Sequence, residues 1–285
     1  MAQIFREYVG AFKKSNKLLV GTVIVSALIS MAIFAPLLAP YNPYKLDVTN
    51  RMAGTSQDHL LGTDHLGRDT LSRLIYGTRT SIFISVIGTS FAFALGLSLG
   101  TLAGYARGLI EHLILLYLDA IRSFPAIILI LVVVSVFGPS VTNIIIILGF
   151  TYSSLIGRTA RAITLSVCEE GYVENAVTVG SSTKFIVFRH VVPNVIGPTL
   201  MVAGMYIPIM IMAEAGLSFL GLGVPAPLPS WGSMLRYGFE NIRVALLLII
   251  CPSVALAVSM LGFNLFAEGL RDLLNPEKRG ELIIK

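Results

Sequence analysis

Four stretches of this chain carry no charged residue over lengths that a water-exposed fold does not use. Leu18 to Tyr44 and Thr80 to Ala106 are 27 residues each, Ser123 to Gly157 is 35, and Val244 to Ala267 is 24. About 20 mostly apolar residues in a row are enough for a helix to cross a bilayer. Inside hydrocarbon the backbone must satisfy its own polar groups, so such stretches become helices. Only 13% of the residues are charged, against about 25% in a soluble domain. That is too few to cover soluble domains built from 285 residues. A soluble enzyme, a disordered chain and a disulfide scaffold are excluded. Cys168 and Cys251 stand 83 positions apart and read as small packing residues. No basic run with interleaved aromatics occurs, so nucleic acid is not an expected partner.

The uncharged stretches predict an all-α polytopic membrane protein with six spans. The first covers residues 18–40 and the second begins at Thr80. Gly138-Pro139-Ser140 divides the 35-residue stretch at a turn. The 15 residues before it reach only about 22 Å of a core about 30 Å thick. The third span is therefore expected to start near Leu113, taking in Asp119 and Arg122, which at i,i+3 can face each other. The fourth is expected over about 141–157, the fifth over about Thr199 to Leu220, and the sixth over about Val244 to Ala267. Residues 80–285 thus hold five spans. With both termini inside, the cytoplasmic segments carry 13 Lys and Arg and the external ones 7, as basic residues prefer.

Four segments lie between or before the spans. Residues 1–17, with Arg6, Lys13, Lys14 and Lys17, read as an amphipathic cytoplasmic start and an uncleaved orientation signal. Residues 41–79 are an external segment. Leu66, Leu71, Leu74 and Ile75 recur there at roughly helical spacing, which predicts an interfacial helix leading into the second span. His59 and His65 sit among Asp58, Asp64 and Asp69 but match no metal-ligand spacing. Residues 221–243 form an external loop with Trp231 and Tyr237, either interface anchors or part of a cover over a pathway mouth.

Residues 158–198 are the longest internal loop. Val173, Ala176 and Val177 at i, i+3, i+4 make a small apolar face, and Gly180 is placed to end a helix. Ser181 or Ser182 can cap a second short helix running through Arg189, with Pro193 and Pro198 leading out to the fifth span. A short charged helix with one small apolar face buries little alone. It reads as a knob for a groove on a cytoplasmic partner, or else as a solvated connector.

At these residues the chain resembles the permease subunits of bacterial ABC importers, whose hallmark is E-A-A, three residues, G, nine residues, I-x-L-P. Here Glu174-Asn175-Ala176 precedes Gly180, and Pro193 falls at the required spacing. Asn175, His190 and Val192 depart from the general motif. The run Phe188-Arg-His-Val-Val-Pro-Asn194 is similar instead to the F-R-H-I-L-P-N of the peptide/nickel-type branch. Three further blocks resemble that branch in order: Leu61-Gly-Thr-Asp-His-Leu-Gly-Arg-Asp69, Glu214-Ala-Gly-Leu-Ser-Phe-Leu-Gly-Leu-Gly223 and Pro229-Ser-Trp-Gly232.

The resemblance implies a type I importer permease in the bacterial cytoplasmic (inner) membrane. It would pair with a second homologous permease, two cytoplasmic ATPases and an extracytoplasmic substrate-binding protein. Short peptides are the implied cargo, with nickel or a metal chelate as the alternative. The implied ATPase-coupling residues are Glu170, Gly171, Tyr172, Glu174, Asn175, Ala176, Gly180, Arg189 and Pro193. No catalytic residue, metal ligand or cofactor is expected in the chain. It has no G-x-x-x-x-G-K-[ST] loop, so ATP and Mg belong to partner subunits.

Within the membrane, Glu214, with Ser218 and Phe219 beside it, is a candidate to line the pathway or hold a gate, or to make a local hydrogen bond near the outer interface. Gly96, Gly100 and Gly104 recur every four residues and predict a close helix approach. A self-sufficient secondary carrier would need paired membrane charges and an internal repeat. Glu214 is the only acid well inside a predicted span, and no convincing repeat of halves is found. An intramembrane enzyme would need a nucleophile–base or metal pair, and no such pair is visible.

Overall fold

The computed structural model describes residue 12 and residues 14–274. Most of the expected amphipathic start, residues 1–17, lies outside them. The elements are α1 (Asn16–Ile33), α2 (Ala35–Leu38), a 3-10 turn (Val48–Asn50), α3 (Thr70–Ala106), α4 (Gly108–Arg122), α5 (Ala126–Phe137), α6 (Val141–Cys168), α7 (Gly171–Thr178), α8 (Thr183–Ile186), a π-turn (Val187–Val191), α9 (Val192–Gly204), α10 (Ile207–Phe219), α11 (Trp231–Glu240) and α12 (Leu247–Leu274). Five helices are long and apolar enough to cross a membrane, or six if the bent α4–α5 pair counts as one. No strand occurs among the described residues, only an isolated bridge between Thr63 and Asp69.

Several helix boundaries differ from the expected spans, each for a local reason. α3 starts at Thr70, so the expected interfacial helix and the second span are one rod of 37 residues, about 55 Å long. Asp69 caps it, accepting from the Ser72 N–H at 2.8 Å and the Ser72 hydroxyl at 2.7 Å. The expected third span is two helices meeting at 88°. Pro125 supplies no N–H and disfavours helical geometry at Phe124, so the chain turns there. The expected fifth span is likewise divided between α9 and α10, where Pro208 removes a donor just after Met205 and Tyr206.

α6 runs eleven residues past Gly157. Arg158 and Arg161 therefore lie inside it rather than ending it. Arg158 pairs with Asp119, and Arg161 Nε donates to Glu111 at 2.7 Å. Asp119 thus pairs across helices and not with Arg122. An i,i+3 pair would stiffen one helix only, whereas these two bridges tie α4 to α6.

The chain divides into two compact units. One takes the described residues up to 86, then 138–144 and those from 207 on; the other takes 87–137 and 145–206. In the first, Val25, Leu28, Ile82, Ile211, Trp231 and Phe263 form a core drawn from α1, α3, α10, α11 and α12. α1 and α12 lie in close contact. A Cβ on Gly269 would come within 2.7 Å of the Leu18 Cα, and one on Gly21 would overlap the Phe266 backbone.

In the second unit the glycine row of α3 faces α6. A Cβ on Gly96 would approach the Ser153 carbonyl oxygen to 2.8 Å, and one on Gly104 would approach the Thr164 Cβ to 2.7 Å. The row is packing, as its spacing predicts. A second core joins Ala160, Val173, Ile186, Val191 and Val195 from α6, α7, α8, the π-turn and α9.

Candidate functional site

The segment after α6 builds a small projecting surface in the second unit. Glu170 is the residue before α7, and its side chain makes no capping bond. Ser182 caps α8 by accepting from the Phe185 N–H. At the end of α7 the Ser181 N–H donates to the Ala176 carbonyl and the Gly180 N–H to the Val177 carbonyl, at 3.0 and 2.9 Å. This paired closure needs a left-handed residue, and Gly180 has φ +83°.

The apolar face predicted for α7 is split. Val173 is buried and Ala176 is partly buried against the chain's own core, so they anchor the helix. Val177 is exposed. Glu170, Gly171, Tyr172, Glu174, Asn175, Gly180, Arg189 and Pro193 are exposed too, as are Val179, Phe185 and Phe188. The result is an apolar surface bordered by charges of both signs.

The chain does not leave this surface by a proline exit. α8, the π-turn and α9 form one helical run, with Pro193 at the second position of α9 and Pro198 inside it. The wide turn lets the Val192 N–H reach the Val187 carbonyl. Asn194 Nδ2 donates to the His190 carbonyl at 2.6 Å. The His190 ring sits 5.9 Å from Tyr172 and 5.6 Å from Phe185, tying α7 to α8. Neither Phe185 nor His190 stood out as a site residue in the sequence. For Phe185 the signal was an aromatic residue beside a capped turn; His190 stood in the Phe188–Asn194 run, with no role attached to it.

Glu214 belongs to the first unit, inside α10, and is fully buried. Its carboxylate accepts from the Ser81 hydroxyl of α3 at 2.8 Å and the Ser218 hydroxyl at 2.7 Å. Ser218 Oγ accepts in turn from the Val224 N–H at 3.0 Å. The Trp231 N–H approaches Ser81 Oγ at 3.4 Å, and its ring N–H donates to the Leu74 carbonyl at 3.3 Å. Glu214 is thus the centre of a closed knot that fastens α3, α10 and the 221–230 loop. Glu214, Ser81, Ser218 and Trp231 are all buried. Phe219 is on the rim, 5.8 Å from Phe239. Ser81 is 133 positions from Glu214 and Trp231 is 150 from Ser81, so no local pattern shows these contacts, although Trp231 itself stands out in the sequence.

The residues before α3 form a second closed network in the same unit. Asp64 accepts from Arg68 Nε at 2.7 Å and lies 3.3 Å from Arg73 Nε, all three buried. It also caps the Leu66 and Arg68 N–H groups at 2.8 and 3.0 Å. His59 Nδ1 meets Asp69 at 2.9 Å. His65 lies against Tyr237, ring to ring at 4.3 Å. The histidines and aspartates therefore serve the turn into α3.

Residues 96–280 match the family described as binding-protein-dependent transport system inner membrane component, and residues 4–58 match the N-terminal TM domain of oligopeptide transport permease C. The dipeptide transport system permease of Alkalihalophilus pseudofirmus is 34% identical over 96% of this chain and 90% of its own length. The oligopeptide transport system permease of Bacillus subtilis is 34% identical over 93% of this chain and 88% of its own. The glutathione transport system permease of Pectobacterium atrosepticum is 34% identical over 96% and 91%. Among solved structures, an inward-facing methionine ABC transporter superposes with TM-score 0.57 at 19% identity, over 70% of this chain and 94% of that one. An amino acid ABC transporter with histidines gives 0.56 at 16%, over 70% and 92%. These two likenesses concern the fold.

Proposed function

This chain belongs to the binding-protein-dependent transport system inner membrane components, and from that premise we propose that it forms half of the translocation pathway of an ATP-binding-cassette importer for short peptides. It is a multi-pass protein of the bacterial inner membrane. Its relatives named for dipeptides, oligopeptides and glutathione share peptide cargo, which supports that substrate class. The other half of the pathway is a second permease. A binding protein outside delivers the peptide, and two ATPases inside, holding ATP and Mg, supply the energy. With both termini inside, α7 to α9 begin on the ATPase side.

The observation that carries this reading is the division of α7. Val173 and Ala176 lock it to α6, α8 and α9, while Tyr172, Glu174 and Val177 stay exposed. A helix gripped on one side and open on the other suits docking into a cleft. A push on its open side is carried by packed side chains into the helices behind it, because a close-packed core does not yield continuously. This chain's part is conformational. Glu214 and its serines keep α3 and α10 joined while the bundle switches access.

The test is peptide-stimulated ATPase activity of the assembled transporter in nanodiscs, with Glu174→Arg and Val177→Asp. Both variants are expected to insert and assemble with the second permease, while the ATPases detach or stop responding to peptide. Unchanged stimulation in both would reduce α7 to a connector.

A further inference from the structure

Within the second unit, an open groove of about 500 Å³ runs between the end of α3 and the helical run from Thr183. Leu97, Leu102 and Ala106 form one wall, and Val187, Phe188 and Val192 form the other. Leu102 is half-exposed and Phe188 mostly exposed, so no described part of the chain covers the groove. Both walls belong to runs long and apolar enough to cross a membrane. The polar atoms along the walls are spent or hidden. The Ser98 hydroxyl donates to the Ala94 carbonyl at 2.7 Å, and the Thr101 hydroxyl is buried beneath the surface. An extended peptide would leave its amides unpaired against such walls. Hydrocarbon loses nothing there.

One end of the groove is different. A Cβ on Gly96 would meet Ser153 and one on Gly104 would meet Thr164, so α3 and α6 run in the same direction and end together. The run from Thr183 is the next span after α6 and crosses the opposite way. Its first residues and the last of α3 therefore share one end. There Arg107 follows Ala106 and Lys184 follows Thr183, while Tyr105 and Thr183 bring hydroxyls. Both cations are exposed, and neither forms an ion pair among the described residues. Arg107 also holds φ +52°, a conformation that costs a residue with a Cβ. A partner helix would have to bring acids to one end of an otherwise apolar face. An anionic phospholipid has that division built in. We propose that the groove holds an acyl chain of an anionic phospholipid, with its phosphate at Arg107 and Lys184. The lipid fills the space between α3 and the segment that carries α7. The proposal needs the chain's place in the membrane and not its peptide cargo.

The experiment uses the complete transporter in mixed micelles holding equal amounts of phosphatidylglycerol and phosphatidylethanolamine, with the retained lipid read by native mass spectrometry. The wild type is expected to retain phosphatidylglycerol in preference. Arg107→Gln together with Lys184→Gln removes the cations, so the retained phosphatidylglycerol-to-phosphatidylethanolamine ratio should fall about tenfold or more. Ser98→Phe puts a ring into the groove, and retention of both lipids should fall. A photoreactive side chain at position 102 should form an adduct with the mass of phosphatidylglycerol, and less of it in the double variant.

A ratio that stays the same in the double variant overturns the site and leaves only ordinary boundary lipid. An adduct from position 102 to a protein subunit also overturns it, in favour of a partner helix in the groove. Should Ser98→Phe fail to assemble, the double variant still decides, because its two substitutions lie on the surface.

Discussion

α7 and α10 end in the same way and are put to opposite uses. Each stops at a glycine in the left-handed region, Gly180 at φ +83° and Gly221 at φ +84°. Each closes with the same pair of backbone bonds, for α10 from Leu222 to Leu217 and from Gly221 to Ser218. After Gly221 the chain folds back, caps α11 at Ser230 and buries Trp231 and Glu214 completely. After Gly180 it turns outward and leaves Phe185 and Phe188 exposed. A local stop signal says only that a helix ends. The path taken beyond the stop depends on whether buried partners from distant helices are waiting.

The contrast can be broken at four points, in decreasing order of effect. Trp231→Ala empties the centre of the first core and should lower stability by about 3–5 kcal/mol, read as thermal unfolding of the purified complex. Glu214→Leu leaves the Ser81 and Ser218 hydroxyls buried without their acceptor, at about 1–3 kcal/mol. Glu214→Gln, which still accepts from one of them, should cost less. If Glu214→Leu were as stable as wild type, the knot would not hold the fold and a role in gating would regain ground.

The third point is a pair in α7. Val173→Asp should loosen the whole segment, seen as faster amide exchange over residues 160–195, because a carboxylate then enters the second core. Val177→Asp should leave exchange unchanged within about 0.5 kcal/mol while still uncoupling the ATPases. Equal effects at the two positions would mean that α7 has no distinct inner and outer sides.

The fourth and smallest effect is with pH. Burial holds the His65 imidazole below its ordinary value of 6.5; Asp64 and Glu240 pull it up, and Arg68 and Arg73 push it down. The unfolded segment therefore binds a proton before the folded one does. Stability from this group is present above the ordinary value and is lost as pH falls below it. Amide exchange over residues 45–69 should quicken, relative to its intrinsic rate, from about pH 7.5 to about pH 5.5, and His65→Gln should flatten that dependence. A wild-type segment whose protection does not change with pH would show that His65 is not held neutral.

Composition and uncharged runs were enough to read an all-helical membrane protein, since charge-free lengths of that order leave a chain few alternatives. The glycine row of α3, the stop at Gly180 and the cap at Ser182 were legible because they are local. The broken helices were less so. Pro125 and Pro208 are visible, but prolines are common in spans and only the fold shows which ones divide a helix. Asp119 reads as a partner of Arg122 because sequence displays the neighbour three residues away and hides Arg158, 39 positions on. For the same reason the buried side of α7 looked like a surface: Val173 meets Ile186 and Val195 only after the turn at Gly180 has been made.

The close fit of α1 to α12 has a consequence for how the protein is made. Gly21 awaits Phe266, which leaves the ribosome 245 residues later. At about 5–20 residues per second that delay is roughly 12–50 s. During it the first helix sits in the bilayer with its matching surface facing lipid or a chaperone. Nascent chains cut short before α12 should therefore be the ones that membrane proteases recognise, however well their earlier helices have been inserted.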